Sequence, residues 1–320
     1  MKNLTRLECA RFLEERDQFL IITHRRPDGD TLGSAAVLCL GLRKLGKTAH
    51  ILRNPEITGK YIHLHEGLTK ESTAAEDTIV SVDVASPNML GDWCKHLQEK
   101  IALRIDHHAT ATSFTPWELV DGNAAACGEI IYDVLTAMGA ELDVPMANAL
   151  YTAVSTDTGC FRYANTNAHS FAVAAACAQV SGDLFRINQE LFETNSLPRL
   201  KVQSYMLQNA IFLQEGKVAV CPLPKAVELQ YGASEDDLDN ISGFPRTIEG
   251  VKLAVTLREE GENRIKMSVR AVPGCDAAAL CAKFGGGGHK GAAGASMKMT
   301  LEEAVKALIA AMPMIKMDNG

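Results

Sequence analysis

Asp106-His107-His108 directly follows the apolar run Ile101 to Ile105. An acid and two histidines released from the end of a strand-like segment are poor core material. They are good ligands for divalent cations of the manganese, iron or zinc type. Similar residues stand at other segment ends: His24, Asp28 and Asp30 in His24-Arg25-Arg26-Pro27-Asp28-Gly29-Asp30, Asp83 after Thr78 to Val82, and Asp157 before Gly159. In the first loop Pro27 restricts the backbone and Gly29 frees it, so alternate side chains can be aimed at one or two cations. Carboxylates gathered in one pocket repel unless cations neutralise them. Two divalent ions about 3.5–4 Å apart, sharing one carboxylate, would do so, activating water and clamping a phosphoryl group for hydrolysis of an ester or anhydride. Oxygen-rich ligation with some imidazole points to Mn²⁺ rather than thiolate-bound zinc.

Each residue alone has a plainer role. Asp28 and Asp30 could cap the helix that follows, Asp83 and Asp157 could form turns, and His24 could be a hydrogen-bonded histidine of the interior. What favours a site is their shared placement. Phe19 to Ile22, His50 to Leu52, Thr78 to Val82 and Ile101 to Ile105 read as buried strands alternating with helices, which implies a mostly parallel α/β sheet. In such sheets ligands bind beyond the carboxyl ends of the strands. His24, Asp83 and His107 each lie just past such an end. Helices are expected over residues 1–17, from Thr31 to about Gly46, over 124–139 and 144–156, and from His169 to Gln179.

The 320 residues suggest two domains. We expect a catalytic domain over 1–188, a helical connector over 189–210, and a smaller α/β domain over 211–320. In the last, Ile211 to Leu213 and Val218 to Val220 flank a hairpin signal, and Val251 to Leu257 pairs with Arg264 to Val269. The net charge of −7 argues against coating long duplex DNA, yet residues 251–296 hold seven cations against four acids. That local excess suits an anionic, nucleotide-like ligand. Nine scattered cysteines without metal-finger spacing, and an N-terminus lacking an apolar signal core, lead us to expect reduced thiols in a cytoplasmic protein that does not engage a membrane.

A second unusual stretch is Phe284-Gly285-Gly286-Gly287-Gly288-His289-Lys290-Gly291-Ala292-Ala293-Gly294. Four glycines often mean a flexible linker. They also let backbone N–H groups approach a phosphate closely.

Taken in order, Thr23 to Asp30 with Gly33-Ser34, then Asp83, Asp106-His107-His108, Thr156-Asp157-Thr158-Gly159 and Gly285 to Gly294 resemble the DHH phosphoesterase superfamily with its DHH-associated C-terminal domain. The resemblance spans nearly the whole chain. It is strongest to the branch that degrades very short RNAs and dephosphorylates 3′-phosphoadenosine 5′-phosphate (pAp). It implies two metal ions: His24, Asp28 and Asp83 around one, and Asp30, Asp83, His107 and Asp157 around the other. It has His108 either support the ligands or touch the scissile phosphate, and has Asp106 orient the histidines. Arg270 and Gly286-Gly287-Gly288-His289 would bind the far end of a short RNA or nucleotide substrate. A RecJ-like single-strand exonuclease, a cyclic-dinucleotide phosphodiesterase and a non-catalytic nucleotide sensor are the alternatives, and a homodimer is compatible. Arg104 departs from the apolar residue usual before Ile105-Asp106, and the sequence offers no reason for it.

Overall fold

Seven parallel strands form the frame of the first half of the computed structural model, which describes residues 2–75, 77–109, 111–180 and 183–314. They are β1 (Lys2–Asn3), β2 (Phe19–Ile22), β3 (Ala49–Leu52), β4 (Thr69–Lys70), β5 (Thr78–Val82), β6 (Ile101–Asp106) and β7 (Trp117–Val120). Their order is β1-β7-β6-β5-β2-β3-β4. From β2 the chain builds outward through β3 and β4, then returns to the other side of β2 with β5 and continues through β6 and β7. The order therefore reverses between β2 and β5, which pair in parallel with Ile22 opposite Ser81. Such a switch point opens a crevice at the carboxyl ends of the strands, and His24 and Asp83 follow its two strands.

All four residues of β2 are buried, as expected of a sheet covered on both faces. One face carries α1 (Arg6–Glu14), α2 (Gly29–Lys44), α3 (Cys127–Ala137) and α4 (Val144–Asp157), whose apolar residues join those of Phe19, Ile21, Val80, Val82, Leu103 and Ile105 in one core. Helices α5 (Ala168–Val180) and α6 (Leu184–Asn188) add Val173, Cys177 and Ile187 to it. Leu20, Ile22, Ile79, Val84, Leu97 and Ile101 form a second cluster. Helices α2 and α4 cross closely at Gly33, where a Cβ would lie 2.4 Å from the Ala149 carbonyl oxygen. That contact brings the start of α2, with Asp30, beside the helix that ends at Asp157.

Several elements of the first unit differ from expectation, among them the two short strands β1 and β4. The first helix covers Arg6–Glu14 rather than 1–17: Thr5 closes a capping box with Glu8, and Lys2–Asn3 pairs with Trp117–Glu118. Helix α2 begins at Gly29, two residues before Thr31, because the Asp28 side chain accepts from the backbone N–H groups of Asp30 and Thr31. Strand β7 was unforeseen, because the buried Glu118 interrupts its apolar pattern.

The chain divides into the units Met1–Thr194 and Asn195–Gly320, so the division falls inside the 189–210 stretch read as a connector. The second unit contains α7 (Leu197–Gln208), β8 (Ile211–Leu213), β9 (Val218–Leu223), α8 (Lys225–Tyr231), β10 (Leu253–Gly261), β11 (Arg264–Ala271), α9 (Ala277–Ala282), β12 (Gly287–Gly288), β13 (Ala292–Met297) and α10 (Leu301–Ala311). Its six strands run β12-β13-β11-β10-β9-β8, antiparallel except for β9 beside β10. Val202 and Met206 of α7 pack with Cys221, Leu223 and Val227, so this helix is part of the second unit's core rather than a free tether. The architecture is the expected parallel α/β domain followed by a smaller α/β domain. No helix among the described residues is long and apolar enough to cross a membrane, and all nine cysteines are free thiols.

Candidate metal centre

The residues singled out at strand and helix ends converge on the crevice between β2 and β5. Asp83 lies at the middle. Its Oδ2 is 3.4 Å from His24 Nε2, while its Oδ1 is 3.5 Å from both His107 Nε2 and His108 Nδ1. His24 Nε2 also lies 3.6 Å from Asp28, and His107 Nε2 lies 3.7 Å from Asp30 and 3.3 Å from Asp157. Three clusters result: His24 with Asp28 and Asp83, Asp30 with His107 and Asp157, and Asp83 with His107 and His108. Asp83 belongs to two of them.

Local structure fixes which atoms face the centre. His24 Nδ1 is 2.8 Å from the Arg25 carbonyl oxygen and His107 Nδ1 is 3.2 Å from that of Ala124. With Nδ1–H donating to a carbonyl, each ring turns the lone pair of Nε2 toward the carboxylates, the tautomer a metal ligand requires. Asp106 Oδ1 accepts from the backbone N–H groups of His107 and His108 and lies 2.7 Å from His108 Nδ1. Asp30 accepts from the Cys127 and Gly128 backbone N–H groups and the Ser34 hydroxyl, tying the start of α2 to that of α3. Asp83 adopts a left-handed backbone with φ of 58°, strain that persists only where the surroundings over-determine it.

The electrostatics are those of a site built for cations. Burial, then the Asp83 and Asp157 charges, raise the Asp30 carboxyl well above its ordinary range. Burial also raises Asp83, although the hydrogen bond from His24 opposes the shift. Asp157 is pushed up to about 7 by burial, with His107 pulling the other way. Burial would lower His107, but Asp30, Asp83 and Asp157 outweigh it and carry the imidazole to about 9. The buried Oδ1 of Asp83 has no hydrogen-bond partner. A carboxylate oxygen without a hydrogen bond, amid further carboxylates and correctly turned imidazoles, fits a divalent cation.

The other expected residues lie in the second unit. Arg270, on β11, stands opposite Ala292 in the strand register, and its Nη1 donates to the Val269 carbonyl. Gly287 and Gly288 pair with Gly294 and Ala293, and His289 closes the turn by exchanging backbone hydrogen bonds with Ala292. The glycines are thus a paired edge strand rather than a linker. A Cβ at Gly286 would sit 2.2 Å from the Gly294 carbonyl oxygen, and Gly288 has a φ of 140°, so both need glycine for the fold itself. Gly287 is exposed with open space around it.

Sequence reasoning missed the supports. The carbonyls of Arg25 and Ala124 and the N–H groups of Cys127 and Gly128 carry no side-chain signal. Arg104 did stand out, as a cation within an apolar strand.

A parallel sheet with a carboxylate–imidazole crevice at its switch point, followed by a smaller mixed-sheet unit, is the architecture of a two-domain α/β protein with a candidate divalent-metal centre. Residues 18–154 match the N-terminal domain of the DHH family and residues 215–314 match the DHHA1 domain. The chain is 32% identical over 295 residues to the bifunctional oligoribonuclease and PAP phosphatase NrnA of Thermus thermophilus, covering 91% of this chain and 88% of that one. The Bacillus subtilis protein of the same name is 25% identical over 295 residues, covering 91% and 92%. An exopolyphosphatase-related protein from Bacteroides fragilis has the same fold, with a TM-score of 0.83 at 24% identity over 96% of this chain and 95% of that one. The chain therefore belongs to the DHH family.

Proposed function

We propose that this protein is a hydrolase that cleaves phosphoester bonds in very short oligoribonucleotides and in pAp, releasing mononucleotides, with two Mn²⁺ ions as cofactors. The observation that carries the reading is the position of Asp83, one oxygen toward His24 and the other toward His107 and His108. The names of the relatives from Thermus thermophilus and Bacillus subtilis support the choice of substrate class.

His24, Asp28 and Asp83 would hold one ion, and Asp30, Asp83, His107 and Asp157 the other. When bound, the ions activate water and neutralise the charge that develops on the phosphoryl oxygens. The protein's own groups do the rest. Asp30 is fixed by three hydrogen bonds and keeps its carboxylate from swinging away. Asp106 holds the His108 ring, leaving its Nε2 available to a phosphate oxygen. Arg270 and the Gly286-Gly287-Gly288-His289 segment would bind substrate phosphate, which a guanidinium suits by its paired donors.

The test is product analysis with Mn²⁺ on pAp, linear pApA and a long RNA in parallel. Release of AMP from the two small substrates with the long RNA nearly intact is expected. Rapid digestion of the long RNA would move the protein to an exonuclease of single strands.

A further inference from the structure

Arg104 is buried at 1% exposure in the strand that leads to Asp106-His107-His108. A lone arginine in a sheet interior needs a reason, because an unpaired buried charge is strongly unfavourable. Its partner is Glu118, directly across the register between β6 and β7, with Nη2 3.1 Å from Oε2. Glu118 also accepts from the Ser113 hydroxyl and from the backbone N–H groups of Phe114 and Thr115.

The other arm of the guanidinium reaches the loops of the metal centre. Nη1 donates to the carbonyl of Ala85 at 3.1 Å and to that of Thr112 at 3.0 Å, with Val84 at 3.5 Å. Ala85 in turn accepts from the Thr112 backbone N–H at 2.8 Å. Ala85 is two residues past the strained Asp83, and Thr112 lies in the connection between β6 and β7 that His107 and His108 open. One side chain thus clamps both segments from beneath, and the same Nη1 lies 3.8 Å from the otherwise unpartnered Oδ2 of Asp106.

We propose that Arg104 is a positioning residue for the metal centre: its forked guanidinium ties Ala85, just past Asp83, to Thr112, in the connection that leaves His107-His108, and so fixes the distance between the two ion-binding clusters. A lysine could keep the charge against Glu118 but could not span Glu118 and both carbonyls, since only the planar fork points donors in those directions together. The inference rests on the metal reading above.

Two variants test it. Replacing Arg104 and Glu118 together by Met exchanges a buried ion pair for apolar contact, a change that folded proteins often tolerate. Arg104→Lys keeps the pair and removes the span. After metal removal, Mn²⁺ binding would be titrated by electron paramagnetic resonance, and kcat and KM measured on pAp. In both variants the affinity for Mn²⁺ and kcat are expected to fall about 10–100-fold, the scale seen when groups that orient ligands are lost, with KM nearly unchanged. Mn²⁺ affinity and kcat at wild-type levels in Arg104→Lys, or in the folded double variant, would overturn the positioning role. If the double variant does not fold, the lysine variant decides by the same two readings. A wild-type chain that binds no Mn²⁺ would overturn the metal reading itself, a result visible before any variant is made.

Discussion

The Nδ1 of His108 lies 2.7 Å from Oδ1 of Asp106, and that same oxygen accepts from the backbone N–H groups of His107 and His108. The first residue of the triplet is therefore the bracket of the other two. Burial would raise its carboxyl, but the His108 contacts outweigh burial and hold it below its ordinary range, so it stays charged. Asp106→Asn retains the shape and removes the charge. We expect it to lower kcat about 10–100-fold while leaving Mn²⁺ bound, because the ring it holds, that of His108, lies outside both proposed ligand sets. Steady-state kinetics with a parallel metal titration would check the split.

Asp83 faces both ligand clusters, so Asp83→Asn should abolish tight Mn²⁺ binding and lower activity by more than about a hundredfold, beyond the loss typical of supporting groups. Asparagine tolerates the left-handed backbone. In the metal-free protein the substitution also relieves repulsion from Asp30 and Asp157, so the apo variant should be more stable than the apo wild type by about 1 kcal/mol. Calorimetric scans with and without Mn²⁺ would show opposite signs.

Asp30, Asp83 and Asp157 are all raised, Asp157 to about 7, and His107 is raised to about 9. Cations must displace the protons that these groups hold, so apparent Mn²⁺ affinity should climb as pH rises from about 6 to 9. Titration calorimetry in buffers of different ionisation enthalpy would report the released protons. Equal heats in all buffers would contradict the assignment.

His65 is buried, with Nε2 3.0 Å from the Leu32 carbonyl oxygen and Nδ1 without a partner. Burial lowers its pKa from 6.5 to about 4, the carbonyl contact opposing the shift. The unfolded chain then binds a proton below 6.5 that the folded chain refuses until about 4. Stability from the neutral ring is complete above 6.5 and is lost as pH falls toward 4, by up to about 3 kcal/mol. Urea melts across that window should show a steeper decline for the wild type than for His65→Gln.

The two glycine sites separate folding from binding. Gly33→Ala would push Ala149 of α4 away from α2 and cost about 1–3 kcal/mol, as overpacking does. Gly286→Ala collides with Gly294, whereas Gly287→Ala meets nothing. With Gly287 in the proposed substrate-binding segment, Gly287→Ala is expected to keep the wild-type melting temperature and to raise KM for pAp.

Much of this protein was legible in the chain itself. Four strands of the first sheet announced themselves because a sheet covered on both faces requires continuous apolar runs, and the ligand candidates followed because polar residues at the ends of such runs are unsuited to the core. The family followed from their order. Folding decided what depends on partners distant in sequence. Strand β7 stayed hidden because Glu118 looks polar until Arg104 stands beside it, and Arg104 looked anomalous for the same reason. The glycine run read equally as a linker until its pairing with β13 appeared. Asp28 read as either a helix cap or a ligand, and the structure has it cap α2 while standing 3.6 Å from His24. Residue types report what each side chain is able to do; which carbonyl, N–H or charge meets it is set by strand order and helix crossing, and only the tertiary structure brings those together.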